Sequence, residues 1–496
     1  MNTHEVEQEI LNEIETQYGL VTRQKIENRL IEKKRLAMLA AICYKKDAGL
    51  VKMIKEIESM SRINQLDKLI ERIRKYNPVG EVEKKSFGEI FTPFPLINDM
   101  LNTLPIEVWS NPNLKWGDFC NGVGNFMIIV IKRLMIGLET WQPDEDKRYK
   151  HIVENMIYVS ELQIKNMFLW MVSIDPRSEY KLNLYRGSSL EKDFDEHMKN
   201  VWKVEKMDII VGNPPYNGSQ SQKGDKRGGG NSLWDKFVIK SLELLNIDGY
   251  LNFVHPSMWR KPISKNSKNK ELWDIMTEKQ IVYLEIHNSD DGKKVFNAGT
   301  RYDWYLIQNR TCDSDTIVID ETGLKNKINL KNWNFLPNKN FDLISKIISG
   351  DDKCKLFWNT FYHTATDRYD YVSPKRTDIF NFPIVHSTNK NEVRYFWTNL
   401  KNKEHFGVSK VIFGESGINN VIIDIDGDYG TTQGAMSIRF DSIDEAEGLK
   451  KCLESKKFKV VLESLSWGNF RIDWRIFTYF RKDFWKDFID EQNIID

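Results

Sequence analysis

The stretch "DIIVGNPPYNGSQSQKGDKRGGGNSLW", residues 208–234, decides how the chain is read. A β-branched run, Ile209-Ile210-Val211, stops at Asn213-Pro214-Pro215-Tyr216, and a polar, glycine-rich, basic loop follows. Two successive prolines fix φ, remove two donors and keep the chain extended. The Pro214 carbonyl is thereby held close to the side-chain oxygen of Asn213. Two fixed acceptors can take both hydrogens of an exocyclic amino group, which draws its nitrogen out of ring conjugation and aims a lone pair at an electrophile. Tyr216 offers a flat face on which a base stacks. The apolar run reads as a buried strand, so the pattern predicts chemistry at a strand's carboxyl end.

Outward from this strand, residues from about Phe87 to Arg310 alternate between strand and helix patterns. Strands are expected at Lys115–Phe119, Ile157–Val159, Asn183–Tyr185, Asp208–Val211, Tyr250–Val254, Ile281–Ile286 and Tyr302–Ile307, with helices at Phe126–Gly137, Gln163–Val172 and Leu233–Leu245. Such alternation implies an α/β fold with a doubly wound, mostly parallel sheet. Apolar residues recur at helical spacing over residues 1–80 until Asn77-Pro78, which predicts an N-terminal helical domain. Beyond residue 312 the alternation ends, and a mixed α+β region rich in aromatic and basic residues is expected over 313–496, with strand-like runs at Val421–Ile425 and Met436–Phe440.

A second candidate feature lies upstream. Asp118-Phe119-Cys120-Asn121-Gly122-Val123-Gly124-Asn125-Phe126 takes a strand through a G-x-G turn into an apolar helix, which brings backbone amides and a positive helix end to a ligand. Ile157 to Glu161 ends the next strand in a carboxylate suited to two ribose hydroxyls. Gly124 and Glu161 are 37 positions apart, against about 20 in dinucleotide folds, so the connecting helix is long or carries an insertion.

These motifs together resemble the S-adenosylmethionine-dependent DNA adenine-N6 methyltransferases of the gamma arrangement, the N-P-P-Y family. The family's N-P-P-Y stands at Asn213 to Tyr216 and its D-P-x-C-G-x-G-N-F turn at Asp118 to Phe126, with Phe119 replacing the proline and Asn121 the cysteine. Its G-x-x-[FY]-T-P segment stands at Gly88 to Pro93, and Asp291 to Phe296 resembles the segment carrying its base-stacking aromatic residue. The resemblance implies a Rossmann-like methyltransferase domain over 81–312, a target-recognition domain over 313–496 and S-adenosylmethionine as cofactor. It places the catalytic turn at Asn213, Pro214, Pro215 and Tyr216, and the flipped adenine between Tyr216 and Phe296. Cofactor contacts fall on Phe91, Thr92, Pro93, Asp118, Gly122, Gly124, Glu161 and Ser188. Ser188 stands where the family usually has an aspartate at the end of the third strand.

Methylating adenine N6 requires the base to leave the duplex. Lys223, Lys226 and Arg227 are therefore candidate phosphate contacts, with Gly224 and Gly228 to Gly230 letting the loop rearrange. Arg471 and Arg475 are candidates for contacts to double-stranded DNA in the C-terminal region. N-P-P-Y serves other amino and amide groups equally, so methylation of RNA or of a protein glutamine, and a catalytically inactive DNA-binding subunit, stand as alternatives.

The remaining composition is that of an ordinary globular chain. Of 496 residues, 41% are hydrophobic and 29% charged, and the net charge is +1, so any nucleic-acid surface is local. No apolar run approaches the ~20 residues of a membrane span. The acidic N-terminus is unlike a signal peptide. Five scattered cysteines form no C-x-x-C pair, which argues against a zinc site or disulfides and for a reducing, cytoplasmic setting in a bacterial, phage- or virus-infected cell. The expectation is a stand-alone, monomeric methylase with no metal and no membrane partner, alongside which a separate restriction endonuclease is to be looked for.

Overall fold

In the computed structural model, residues 91–175, 179–216, 232–262, 269–468 and 471–489 are described. The helical reading of 1–80, the Gly88-Glu89-Ile90 part of the T-P segment, and Lys223, Lys226 and Arg227 lie outside the described residues. The chain forms two units. One comprises residues up to Pro256 with Leu272–Val318 and Lys327–Leu330; the other comprises Ser257–Glu271, Ile319–Asn326 and residues from Lys331 onward.

The first unit is built on β1 (Trp116–Asp118), β2 (Ile157–Glu161), β3 (Asn183–Arg186), β4 (Met207–Gly212), β5 (Leu245–Pro256), β6 (Lys279–His287) and β7 (Tyr302–Thr311). Their order is β3-β2-β1-β4-β5-β7-β6, and the sheet is extended past β6 by β8 (Thr316–Ile319) and β9 (Lys325–Ile328). β3, β2, β1, β4 and β5 are parallel, whereas β7 runs antiparallel to both neighbours. Each of the seven strands expected from sequence is present. β1, β2 and most of β4 are buried on both faces, which parallel strands covered by helices require and which explains their unbroken apolar runs.

Helices α1 (Phe94–Asn102), α2 (Asn125–Gly137), α3 (Ile164–Ile174), α4 (Trp234–Leu244) and α5 (Ser289–Phe296) belong to this unit. α3 is buried almost all round, from Met167 to Ile174, as its sequence without a polar stripe demands. The long interval between Gly124 and Glu161 holds α2 followed by a further helical segment, Glu145–His151, that runs into a wide turn at Ile152–Met156. It is an insertion rather than one long helix. α1 is tied to the sheet by Asn252 of β5, fully buried, whose Nδ2 donates to the Met100 carbonyl at 2.8 Å.

The second unit contains two four-stranded sheets. One has the order β10 (Leu356–Phe357), β17 (Ala435–Arg439), β14 (Lys410–Gly414), β15 (Ile422–Asp424); the other β11 (Val372–Ser373), β13 (Val393–Thr398), β12 (Phe382–Thr388), β16 (Gly430–Thr431). Pairing is antiparallel except between β12 and β16. Lys410 and Asp424 form an ion pair of 2.7 Å with both side chains 2% exposed. Lys410 also donates to the His405 and Val408 carbonyls, so the buried ammonium is fully used.

Gly124 fixes how α2 meets α3. It has φ +93°, and a Cβ there would lie 2.1 Å from Cε3 of Trp170, inside the indole ring. Gly124→Ala therefore combines left-handed strain with a clash against a buried tryptophan, and we expect a loss of about 3 kcal/mol in denaturant unfolding. Gly299→Ala, where a Cβ would meet nothing within 4 Å, serves as the control and should leave the transition unchanged.

Candidate active site

The G-x-G turn, the carboxylate after β2 and the N-P-P-Y turn after β4 all fall at the carboxyl ends of adjacent strands. Asn121 N donates to the Ser160 carbonyl at 3.1 Å, which carries the turn across to the neighbouring strand. Glu161 then fastens it: Oε2 accepts from Gly122 N and Oε1 from Gln163 N, each at 2.7 Å. The carboxylate is thus held in place at the strand tip, 8% exposed.

Asp118 closes β1. It is 1% exposed, its Oδ1 accepts from Cys120 N at 3.1 Å, and burial pushes its carboxyl up to about 7, with the nearby Glu161 charge adding to the effect. β4 passes directly beside it. A Cβ at Gly212 would lie 2.9 Å from Asp118 Oδ1 and 3.1 Å from Cys120 Sγ, so only a residue without a side chain lets the two strand ends approach. The backbone N–H of Asn213 donates to the Cys120 sulfur, and the Asn213 Oδ1 is buried. The two motifs, far apart along the chain, therefore form one turn-on-turn contact.

The T-P segment covers the glycine turn. Asn125 Nδ2 donates to the Thr92 carbonyl at 3.2 Å, and Phe91 Cε1 lies 3.2 Å from where a Cβ on Gly122 would stand. Pro93 accepts from Ile97 N and opens α1. Thr92 Oγ1 and Asn121 Oδ1 are buried here without a hydrogen-bond partner among the described residues.

Tyr216 ends the N-P-P-Y turn. Its phenol is buried, with no hydrogen-bond partner among the described residues, and burial pushes it well above the ordinary tyrosine range. Its carbonyl accepts from Leu233 N at 3.4 Å, where the described chain resumes after residue 231. Trp234 then stacks on His255 of β5 with ring centroids 4.2 Å apart and planes at 19°. His255 Nδ1 donates to the Pro256 carbonyl at 2.9 Å, and Nε2 accepts from the Tyr305 hydroxyl at 2.8 Å. Burial lowers this imidazole to about 3, so it stays neutral. The sequence does not pair these two rings, because Trp234 opens α4 and His255 lies next to the last residue of β5, and no period along the chain joins them.

Ser188 lies just past β3, whose Arg186 stands in register with Glu161. Its Oγ accepts from Leu190 N at 3.3 Å, and its N–H donates to Glu191 Oε1 at 3.1 Å. Glu191 Oε2 accepts from the Tyr185 hydroxyl at 2.9 Å. A carboxylate does therefore stand at this strand end, three residues later than the position expected for aspartate. The Ser188-x-x-Glu191 spacing, that of a capping box, was the available clue.

Phe296, at the end of α5, is 6% exposed and meets Tyr302 edge-on, centroids 4.9 Å apart at 84°. In the second unit Arg471 Nη1 lies 3.6 Å from Glu415 Oε2, and Arg475 Nε donates to Asp473 Oδ1 at 2.7 Å while its Nη2 pairs with Oδ2. Both arginines are thus engaged by carboxylates.

Among the described residues, no group of three or more His, Cys, Asp or Glu could hold a metal ion, and no helix is long and apolar enough to cross a membrane.

Residues 125–296 match the model of the Eco57I restriction-modification methylase family. The chain is 23% identical over 321 residues to an "Uncharacterized adenine-specific methylase" of Mycoplasma pneumoniae, covering 47% of this chain and 75% of that protein. Among solved structures, the Type IIL restriction-modification enzyme MmeI in complex with DNA is similar at 12% identity and TM-score 0.41, over 81% of this chain and 63% of that one. A type I restriction-modification methyltransferase subunit from Streptococcus thermophilus is similar at 16% identity and TM-score 0.36, over 52% and 53%. The chain thus spans less than two thirds of either solved protein.

The raised Asp118 carboxyl has a measurable consequence. Folding favours its protonated form, so this contribution to stability is complete below about pH 4 and is lost as pH rises through about 7. The Asp118→Asn variant should lose that part of the pH dependence, up to about 4 kcal/mol between the two limits, in unfolding curves measured from pH 4 to 8.

Proposed function

We propose that this chain, whose residues 125–296 match the model of the Eco57I restriction-modification methylase family, transfers a methyl group from S-adenosylmethionine to the N6 amino group of adenine in double-stranded DNA. The observation that carries this reading is the contact of the N-P-P-Y turn with the glycine turn through Gly212, Asp118 and Cys120. The description of the Mycoplasma relative as adenine-specific supports the choice of base. The setting supports it too. Strand order reverses between β1 and β4, and in open doubly wound sheets ligands bind in the crevice outside the strand ends at such a point.

The residues around this crevice fit the cofactor. Thr92 Oγ1 and Asn121 Oδ1 are buried polar atoms awaiting a partner among the described residues, and Gly122 keeps the space beneath the Phe91 ring clear of any side chain. S-adenosylmethionine, when bound, supplies an electrophilic methyl group on a sulfonium. Phe91, Thr92 and Pro93 would cover its methionine part. Asp118, Gly122 and Gly124 would hold it at the turn, Glu161 would take the ribose hydroxyls, and Ser188 would face its adenine.

The chain's own contribution to the reaction is acceptor geometry. The Asn213 side-chain oxygen and the Pro214 carbonyl accept the two N6 hydrogens of the target adenine. Pro214 and Pro215 keep those oxygens from following the substrate, and the nitrogen lone pair is turned toward the methyl group. Tyr216 and Phe296 would enclose the flipped base, whose extrusion costs a few kcal/mol. Lys223, Lys226 and Arg227 would neutralise phosphates near the pocket. Residues 313–496 would read the sequence, with Arg471 and Arg475 exchanging their carboxylate partners for DNA. Residues 81–312 form the catalytic domain in this reading.

Incubating the protein with tritiated S-adenosylmethionine and random-sequence duplex DNA, followed by nucleoside analysis, tests the proposal directly. Label in N6-methyladenine is expected; label confined to N4-methylcytosine, RNA or protein overturns it. Asn213→Ala should lose at least about 100-fold in turnover while binding S-adenosylhomocysteine within twofold of wild type, and retained turnover would remove Asn213 from the mechanism. Replacing Lys223, Lys226 and Arg227 together with Ala should make the slope of log affinity against log salt shallower, by about 0.9 for each phosphate that is no longer neutralised.

A further inference from the structure

Around the end of β6, a set of side chains has no role in the reading above. His287 ends β6. Its Nδ1 lies 2.9 Å from Asp291 Oδ2, whereas its Nε2, 3.3 Å from Glu285 Oε1, makes no hydrogen bond among the described residues. Glu285 is fixed in turn by the Tyr283 hydroxyl, which donates to Oε2 at 2.7 Å. The Tyr302 hydroxyl donates to the same Asp291 Oδ2 at 2.5 Å. The rings of His287 and Tyr302 lie face to face, centroids 4.3 Å apart and planes 2° from parallel. Tyr302, 1% exposed, meets Phe296 edge-on.

The geometry points to His287 as a positioning residue that acts through Tyr302 on Phe296, which the proposed function pairs with Tyr216 around the base. The imidazole is held by Asp291 at Nδ1 and by the parallel stack, and its face sets the plane of the Tyr302 ring. The Asp291 carboxylate fixes that ring a second time, at its hydroxyl. With both the face and the tip of Tyr302 held, Phe296 packs against an edge that does not move. A wall that is rigid before the substrate arrives loses no side-chain entropy when it receives a planar base. Packing alone would not need this much: a buried tyrosine is satisfied by one hydrogen bond, and the parallel stack adds nothing to burial. The inference rests on the methylation reading, because the wall has a purpose only if a base enters beside Tyr216.

The test uses the full chain and a duplex carrying its target site, mapped by methylation-sensitive sequencing of DNA the wild type has modified. His287→Ala should lower kcat/KM for that duplex about tenfold while leaving the KM for S-adenosylmethionine within twofold. Most of the loss should be regained when the target adenine faces an abasic site, because such a base leaves the helix at lower cost and a loosened wall then matters less. Tyr302→Phe keeps the stack and removes only the hydroxyl; it should show a loss of about threefold with the same rescue, and it decides the matter if His287→Ala fails to fold. A parallel rise in the KM for S-adenosylmethionine, rates within twofold of wild type for both variants, or a loss that the abasic duplex does not relieve would overturn the assignment while leaving the methylation reading intact. A wild type that labels no adenine in any duplex overturns both.

Discussion

The pair of 2.7 Å hydrogen bonds from the Gly122 and Gln163 amides to Glu161 governs the arrangement of the site. A glycine turn is by itself a soft element, free to move over its strand. Bonds to a charged acceptor are roughly twice as strong as neutral ones, and they strengthen further away from water. Glu161 thus converts the turn into a fixed extension of β2. Once the turn is fixed, Asp118 and Cys120 have defined places, and the bare backbone at Gly212 allows β4 to deliver Asn213 against them. The Phe91 ring over Gly122 and the Asn213 amide at Cys120 both meet a turn that this carboxylate holds.

The reading of Asn213 as an acceptor assigns the chemistry to atoms that do not titrate near neutral pH. The ionisable groups around it fit that division. Burial keeps the Tyr216 phenol protonated, and it keeps His255 neutral behind Trp234. Asp118 is the exception, with a carboxyl raised to about 7. It closes β1 beside the glycine turn, where a cationic ligand would favour its charged form.

Much of this was legible in the sequence, and for a physical reason. β1, β2 and β4 are buried on both faces, so their apolar runs are uninterrupted, and the residues that end them are ones whose backbone properties cannot be substituted: glycines in a tight approach, prolines in an extended turn. What sequence could not supply were relations that depend on a third element. The 37-position interval implied extra chain but not that it would be a second helix. Glu191 escapes a reading centred on Ser188, although the spacing of the two is visible in the chain. The clamp on His287 joins β6, α5 and β7, and no period along the chain reveals a stack between positions 287 and 302. For Arg475 the opposite holds: the Asp473 that engages it is two residues away, so its pairing could have been anticipated from local sequence alone.

The join between Tyr216 and Leu233 carries a consequence for chain length. The chain leaves and re-enters the site through a backbone hydrogen bond, and the stack of Trp234 on His255 secures the returning end from behind. Whatever lies between those two posts is tethered at a constant separation. Lengthening it twofold would cost only about 0.6 kcal/mol in closure entropy. A change in the number of residues between Tyr216 and Leu233 would therefore leave the two anchored ends, and the turn beside them, where they are.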